Sequence, residues 1–414
     1  MPQYIPKEFK ILTPDYLSAF ACKAGACRNT CCAGWSITLS KPEYLAMKKG
    51  GMPKNIEDIA NAALHRVRKN ATDKTYAEIE FRSDGFCPYL SADRLCNLQV
   101  VCGHSALSAT CRVFPRIKVA VGQSLYTVLT MGCEAVTEQM LLKPTLISMR
   151  SETAIATSSG DVRHLLADNI ILEAVPFFDE IFMLTTAILQ NKAYTVPQRL
   201  SLLSMALENL PEEATLNTDF PNWFVKFAPL ASGSSFALSA TNEGAVDEAV
   251  KAAVCLVNVN NGVVTSGAVL RTLAALKVKV EMTDNKTDVN VSYSKDAYNK
   301  ADKLLSDVFA DMPCALENLV VNLWQHCLLL SPAAPYAACR SCCALYAMLR
   351  LAMLGNISAR EEHEKADMLK CVIDVVSDLC RTWRHNNESV EDIIATMDNA
   401  GYTTAAHMTV ITAI

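Results

Sequence analysis

Seventeen cysteines stand in this chain of 414 residues, with nine in residues 1–133, none in 134–254 and eight in 255–414. In the head they come in short blocks. Cys22-x4-Cys27-x3-Cys31-Cys32 is followed by Cys87-Pro88-Tyr89-Leu90, then Leu95-Cys96-Asn97-Leu98-Gln99, then Thr110-Cys111-Arg112-Val113-Phe114-Pro115-Arg116, and Cys133-Glu134 closes the set. With Cys102 set aside, eight thiols remain. Thiolates are soft donors suited to zinc or to iron–sulfur clusters. Gathering several thiolates is costly unless a cation neutralises them.

The surrounding charge supports that chemistry. Residues 1–133 hold 17 Lys and Arg against 10 Asp and Glu, a balance of +7, whereas the remainder holds 21 against 33, a balance of −12. Arg112 and Arg116 flank a ligand candidate and are the expected donors to cluster sulfur or to an anionic cofactor. The spacings of 4, 3 and 0 differ from the paired C-x2-C of many zinc sites, and only His65 and His104 are available in the head. From spacing alone, one iron–sulfur cluster and two four-thiolate zinc sites both remain open. Burial as small hydrophobes accounts poorly for Cys27, Cys31 and Cys32 among polar loop residues.

The elements that must carry these loops follow from patterning. Residues 15–40 read as loop, Pro42 opens a short helix, and a second helix is expected over 56–69. Alternation over 75–82 predicts a strand, and 117–120 with 125–130 predicts a hairpin about Val121-Gly122-Gln123-Ser124. Beyond that, helices are expected over 134–143, 162–190, 197–209, 245–256, 296–310, 313–330, 336–354, 359–384, 388–399 and 403–413. The Ser/Ala/Gly-rich stretch 228–243 reads as a surface loop and a possible sub-boundary. The fold expected is α+β, mostly α: a small cysteine-rich domain over 1–143 with a β-hairpin, then a helical domain over 144–414.

Several classes are disfavoured. With 51% apolar and 20% charged residues the chain is neither disordered nor a coiled coil. No basic n-region and apolar h-region open it, and Leu319–Cys339 carries Asn322, Gln325, His326, Pro332 and Pro335, so no transmembrane segment is expected. The cytoplasm is the expected compartment, where a cysteine cluster indicates metal or catalysis rather than disulfides. The one tight basic run, Arg66-Val67-Arg68-Lys69, reads as a solvated helix face, so no nucleic-acid partner is expected.

Taken in order, these blocks resemble the flagellin lysine-N-methylase (FliB-like) family, within the group of cysteine-rich zinc- or iron-chelating proteins. The tail adds Glu317-Asn318-Leu319-Val320-Val321-Asn322, Tyr346-Ala347-Met348-Leu349-Arg350 and His385-Asn386; the likeness is weak over roughly 145–300. The resemblance implies methyl transfer from S-adenosylmethionine to lysines of flagellin, the expected protein partner. It also implies an iron–sulfur cluster, four-iron, on candidate ligands Cys22, Cys27, Cys31, Cys32, Cys87, Cys96, Cys111 and Cys133. The family's Cys-Pro-Glu at the last cysteine is here Cys133-Glu134-Ala135, which makes Cys133 the least secure.

The implied reaction needs a neutral amine, and a free lysine is deprotonated only about once in 2,500 at pH 7. Candidate bases are Glu134, Asp93, Tyr89 and His104. No G-x-G-x-x-G is present, so the Rossmann-type donor site is not expected; the usual C-x3-C-x2-C radical triplet is also missing, and radical chemistry, binding of the donor's amino-carboxylate and a structural role for the cluster all remain open. The alternative is a non-catalytic zinc- or iron-binding interaction protein. On a helix, Cys339 and Cys343 share a face and read as small packing residues.

Overall fold

A computed structural model describes residues 5–69, 71–167, 169–233, 243–259, 267–282, 289–361, 364–384 and 387–414. The motif residues His385 and Asn386, and residues 234–242 of the expected surface loop, lie outside these. The architecture is α+β with helices dominant.

Two sheets organise the N-terminal part. The larger has the order β7-β1-β6-β5-β8, built from β1 (Lys7–Pro14), β5 (Arg116–Val121), β6 (Ser124–Leu129), β7 (Met149–Ala156) and β8 (Ile170–Leu172). β5 and β6 form the expected hairpin, with Arg116 opposite Leu129 and Val121 opposite Ser124. Gly122 takes φ +59° in the turn, a conformation glycine adopts without penalty. β1 runs parallel to β6 and antiparallel to β7. The smaller sheet, β2-β4-β3, joins β2 (Ile37–Leu39), β3 (Leu64–Arg66) and β4 (Ala77–Ile79). Helices α1 (Lys41–Lys48) and α2 (Lys54–Ala63) pack with it over a separate core of Ile37, Leu39, Met47, Ile56, Leu64 and Ile79. α1 starts on a Ser40/Glu43 capping box with proline in its first turn. The helix expected over 56–69 ends at Ala63 because Leu64–Arg66 instead pair with β4.

Short helices α3 (Asn97–Cys102) and α4 (Ala109–Val113) follow, then α5 (Glu134–Leu142) and α6 (Ser159–Leu165). The body contains α7 (Phe178–Gln190), α8 (Val196–Glu208), α9 (Leu216–Phe227), α10 (Glu243–Val259) and α11 (Gly267–Ala275). A two-stranded ribbon, β9 (Lys279–Met282) and β10 (Val289–Ser292), leads to α12 (Lys295–Phe309), α13 (Ala315–Leu330), α14 (Pro335–Ser358), α15 (Lys365–Arg384), α16 (Asn387–Asn399) and α17 (Ala405–Ile411). The helix expected over 162–190 is not continuous. Ile170–Leu172 leave it to pair with Val119–Val121, and Pro176 precedes Phe177 at φ +55° before α7 begins. β7 and β8, both past residue 143, complete the larger sheet.

α14 is long and apolar enough to cross a membrane, but 83% of its most apolar window is buried inside the protein. It is the central core helix, packed on α8, α10, α11, α12, α13 and α15. Its Cys339, Cys342 and Cys343 are fully buried, Cys339 and Cys343 both beside the Ser204 hydroxyl, consistent with packing. The asparagines of α13 fasten body to head. Asn318 accepts from the Ile147 N–H at 3.0 Å, and Asn322 donates to the Tyr16 hydroxyl at 2.8 Å and the Leu129 carbonyl at 2.9 Å.

Candidate thiolate centre

The Cys22–Cys32 segment is held from two sides. On one side, Glu134 in the first turn of α5, with a fully buried side chain, takes Lys23 at 2.9 Å, Arg28 at 3.2 Å and the Asn29 N–H at 2.7 Å. Burial alone would raise this carboxyl. The Asn29 N–H, Lys23 and Arg28 outweigh that and hold it below its ordinary value. On the other side, α15 contributes Asp374, which pairs with Arg28 at 3.0 Å, and Ser377, which accepts from the Asn29 side chain at 2.9 Å. Arg381 of α15, 1% exposed, bonds the Asn29 side chain and points a second nitrogen toward the Gly132 carbonyl at 3.4 Å. Gly34 and Gly132 make room for it: a Cβ on Gly132 would sit 3.1 Å from the Arg381 Cα.

A second set of contacts ties Cys32 to the middle cysteines. The Cys87 N–H donates to the Cys32 carbonyl at 2.8 Å, Ala33 bridges Phe86, Leu90 bridges Cys96, and the Asn97 N–H donates to the Tyr89 carbonyl at 2.8 Å. Cys96 is the N-cap of α3. Cys133 is likewise the N-cap of α5.

All eight cysteines line one cavity of about 330 Å3. Tyr89, His104, Arg112, Arg116 and Glu134 line it as well, with apolar walls from Ile37, Met47, Ile79, Leu98, Leu107 and Phe114. Cys102 is not among the lining residues and packs on the small core. Asp93 does not line the cavity either. Arg112 donates to the Leu107 carbonyl at 3.2 Å, and the Arg116 guanidinium lies 5.3 Å from the centre of the Phe20 ring. Glu134 is engaged by the Cys22–Cys32 segment and kept ionised, so it organises the site and is poorly suited to accept a proton. The buried Tyr89 phenol is pushed up by burial and by Cys87 and Cys96, which keeps it neutral.

The thiols themselves are held protonated in the absence of a cation. Burial, then neighbouring Glu134 and thiols, push Cys27 to about 12. Burial raises Cys87 to about 12, and Cys111 and Cys133 to about 11. Cys31 is raised most, first by its hydrogen bond with Cys32. Among the described residues, no three His, Cys, Asp or Glu side chains converge closely enough to share one metal ion. Four thiolates on one zinc must crowd within about 4 Å of each other, whereas a cluster gives each thiolate its own iron. Soft thiol donors on short loops suit either a zinc site or an iron–sulfur cluster. Arg381, Asn29 and the two close glycines were not legible from the head motifs. Arg381 lies hundreds of residues away, and its one sequence signal is a basic residue near the end of an amphipathic helix.

Comparison with known proteins places these features. The model of the FliB lysine N-methylase C-terminal domain matches residues 183–411, the segment that includes Arg381. Similar relatives include the lysine-N-methylases of Salmonella typhimurium (strain LT2) and Salmonella choleraesuis (strain SC-B67), each 36% identical over 153 residues. That is 36% of this chain and 37% of each relative, so the match spans little more than a third of their length. The flagellar biosynthetic protein FliU of Salmonella muenchen is 34% identical over 157 residues, 37% of this chain and 89% of that protein. No solved structure matches. The chain belongs to the FliB lysine N-methylase family.

Proposed function

We propose that this protein is an S-adenosylmethionine-dependent protein lysine N-methyltransferase acting on flagellin, with an iron–sulfur cluster held by its N-terminal cysteines. The single observation that carries the reading is the convergence of all eight spaced thiols on one cavity, in a chain whose body matches the lysine N-methylase family. The names of the relatives, lysine-N-methylase and flagellar biosynthetic protein, point to lysine and to the flagellum.

A bound cluster would supply a compact centre of several thiolate-linked irons able to bind, or pass an electron to, a ligand beside it. The chain's own residues do the rest. The apolar walls favour the neutral form of an entering lysine amine, which must release its proton to solvent before its nitrogen can bond the donor's methyl carbon. As that bond forms, the carbon–sulfur bond breaks and the sulfonium becomes a thioether. Arg112 and Arg116 offer the cavity's cations to an anionic group such as an amino-acid carboxylate.

The test is incubation of anaerobically purified protein with methyl-labelled donor and flagellin. Label on flagellin lysines is expected. Absence of label while the cluster is intact refutes the activity, and colourless protein without iron refutes the cofactor.

A further inference from the structure

Resting on the reading above that flagellin is the substrate, we propose that the outer face of the small sheet is the groove where a lysine-bearing segment of flagellin docks. The segment lies there extended, with basic side chains on Glu78 and Glu80.

Strand pairing builds the groove and orders its charges. It encloses about 590 Å3, with Trp35 and Phe81 as aromatic walls and His65, Glu78 and Glu80 beside them. Glu78 of β4 stands opposite Thr38 of β2 and His65 of β3, and all three are exposed. Glu80 continues the ladder, its N–H donating to the Ala63 carbonyl at 2.8 Å. Alternate residues of a strand share a face, so the two carboxylates stand on the outer side about 7 Å apart. Ala77 and Ile79, between and before them, are buried in the small core. The same spacing separates alternate side chains of an extended partner.

The charge selects the partner. Among the described residues no lysine or arginine lines the groove, although residues 1–133 carry a balance of +7. His65 Nε2 lies 2.7 Å from Glu80, whereas Glu78 has no ion-pair partner among the described residues. The groove is therefore net negative whether or not His65 is protonated. Among the described residues no three His, Cys, Asp or Glu side chains converge to hold a metal ion, so the match is an organic cation. Carboxylates take the hydrogen bonds of a lysine or arginine, and aromatic walls attract the same charge. The groove is an acidic window in a basic head, which favours one register of a basic segment over others.

Groove and cavity also meet. Trp35 and Ile79 line both. Trp35 is fixed at the junction by its indole N–H, which donates to the Cys31 carbonyl at 2.7 Å, and by its ring contact with Phe114 at 5.4 Å. Flanking cations resting on Glu78 and Glu80 thus leave the neighbouring lysine beside the wall shared with the cavity.

The experiment measures equilibrium binding of purified flagellin to the full-length chain without donor, beside methylation of the same flagellin. Glu78→Lys/Glu80→Lys is expected to raise the Kd about tenfold or more and to flatten its dependence on salt. Glu78→Gln/Glu80→Gln should move the Kd less, in the same direction. Glu8→Lys/Glu152→Lys makes the same charge change on β1 and β7 and should leave the Kd unchanged. Circular dichroism and thermal unfolding report that each variant folds. Equal weakening by both lysine variants, no weakening by either, or a wild-type chain that does not bind flagellin overturns the groove. Groove-dependent binding without methylation overturns the activity and leaves the groove standing. Methylation by wild type with a Kd unmoved in Glu78→Lys/Glu80→Lys overturns the groove and leaves the activity standing.

Discussion

The Asn29 N–H lies 2.7 Å from the Glu134 carboxylate, joining the cysteine loop to the first turn of a helix 105 residues away. Lys23 and Arg28 bind the same carboxylate, so one buried acid sets the position of three successive parts of the loop. Removing it leaves the Asn29 amide without that acceptor, and Lys23 and Arg28 with only Glu138 and Asp374.

Glu134→Ala is therefore expected to cost about 2 kcal/mol, since Lys23 and Arg28 keep partial solvent contact and recover some hydration. Denaturant unfolding measures this loss, and iron content should fall in parallel as Cys22 and Cys27 drift from Cys133. Unchanged stability and iron would show that the loop is held elsewhere.

Acid should act through the same carboxylate. Glu134 is held below its ordinary value of 4.5, so its contribution to stability is fully present above that value and is lost as pH falls through the folded one. In that window the unfolded chain binds more protons, and stability rises with pH. Unfolding midpoints of wild type against Glu134→Gln between about pH 3 and 6 should show a shallower slope for the variant.

Arg381→Met and Arg381→Lys separate charge from geometry. Lysine keeps the cation near Cys31 and Cys133 but loses the planar fork that reaches both Asn29 and Gly132. Iron occupancy is expected to rank wild type, then Arg381→Lys, then Arg381→Met, with helical content by circular dichroism little changed. Equal occupancy in all three would remove Arg381 from the centre.

A control for the body is Gly355. A Cβ there would sit 2.4 Å from the Thr272 Cα, so α11 and α14 must part to admit it. Gly355→Ala should cost about 2–3 kcal/mol by overpacking while leaving the cavity thiols in place, which thermal unfolding with iron analysis would show.

The eight thiols were legible in sequence because ligands must sit in short loops and their spacing survives without knowledge of the fold. Cys102, the one head cysteine without family-like spacing, is also the one that does not line the cavity. The hairpin was legible through Gly122 and the alternation on either side. Other features depend on partners distant in the chain. Ile170–Leu172 continue a helical pattern, yet become a strand because β5 offers an open edge. No element is expected over 7–14, where β1 forms between β6 and β7. Arg381 reads as the charged side of a helix, and only the approach of Gly34 and Gly132 turns it inward. The family-like asparagines Asn318 and Asn322 do no chemistry at the cavity; they hydrogen-bond the body to the head.

The most direct measurement is mass spectrometry of flagellin co-expressed with this chain in a host without its own flagellin methylase. Wild type and Cys102→Ser are expected to add methyl groups to flagellin lysines, whereas Cys111→Ser should add none. Unmodified flagellin with wild type, or equal methylation by Cys111→Ser, would contradict the account.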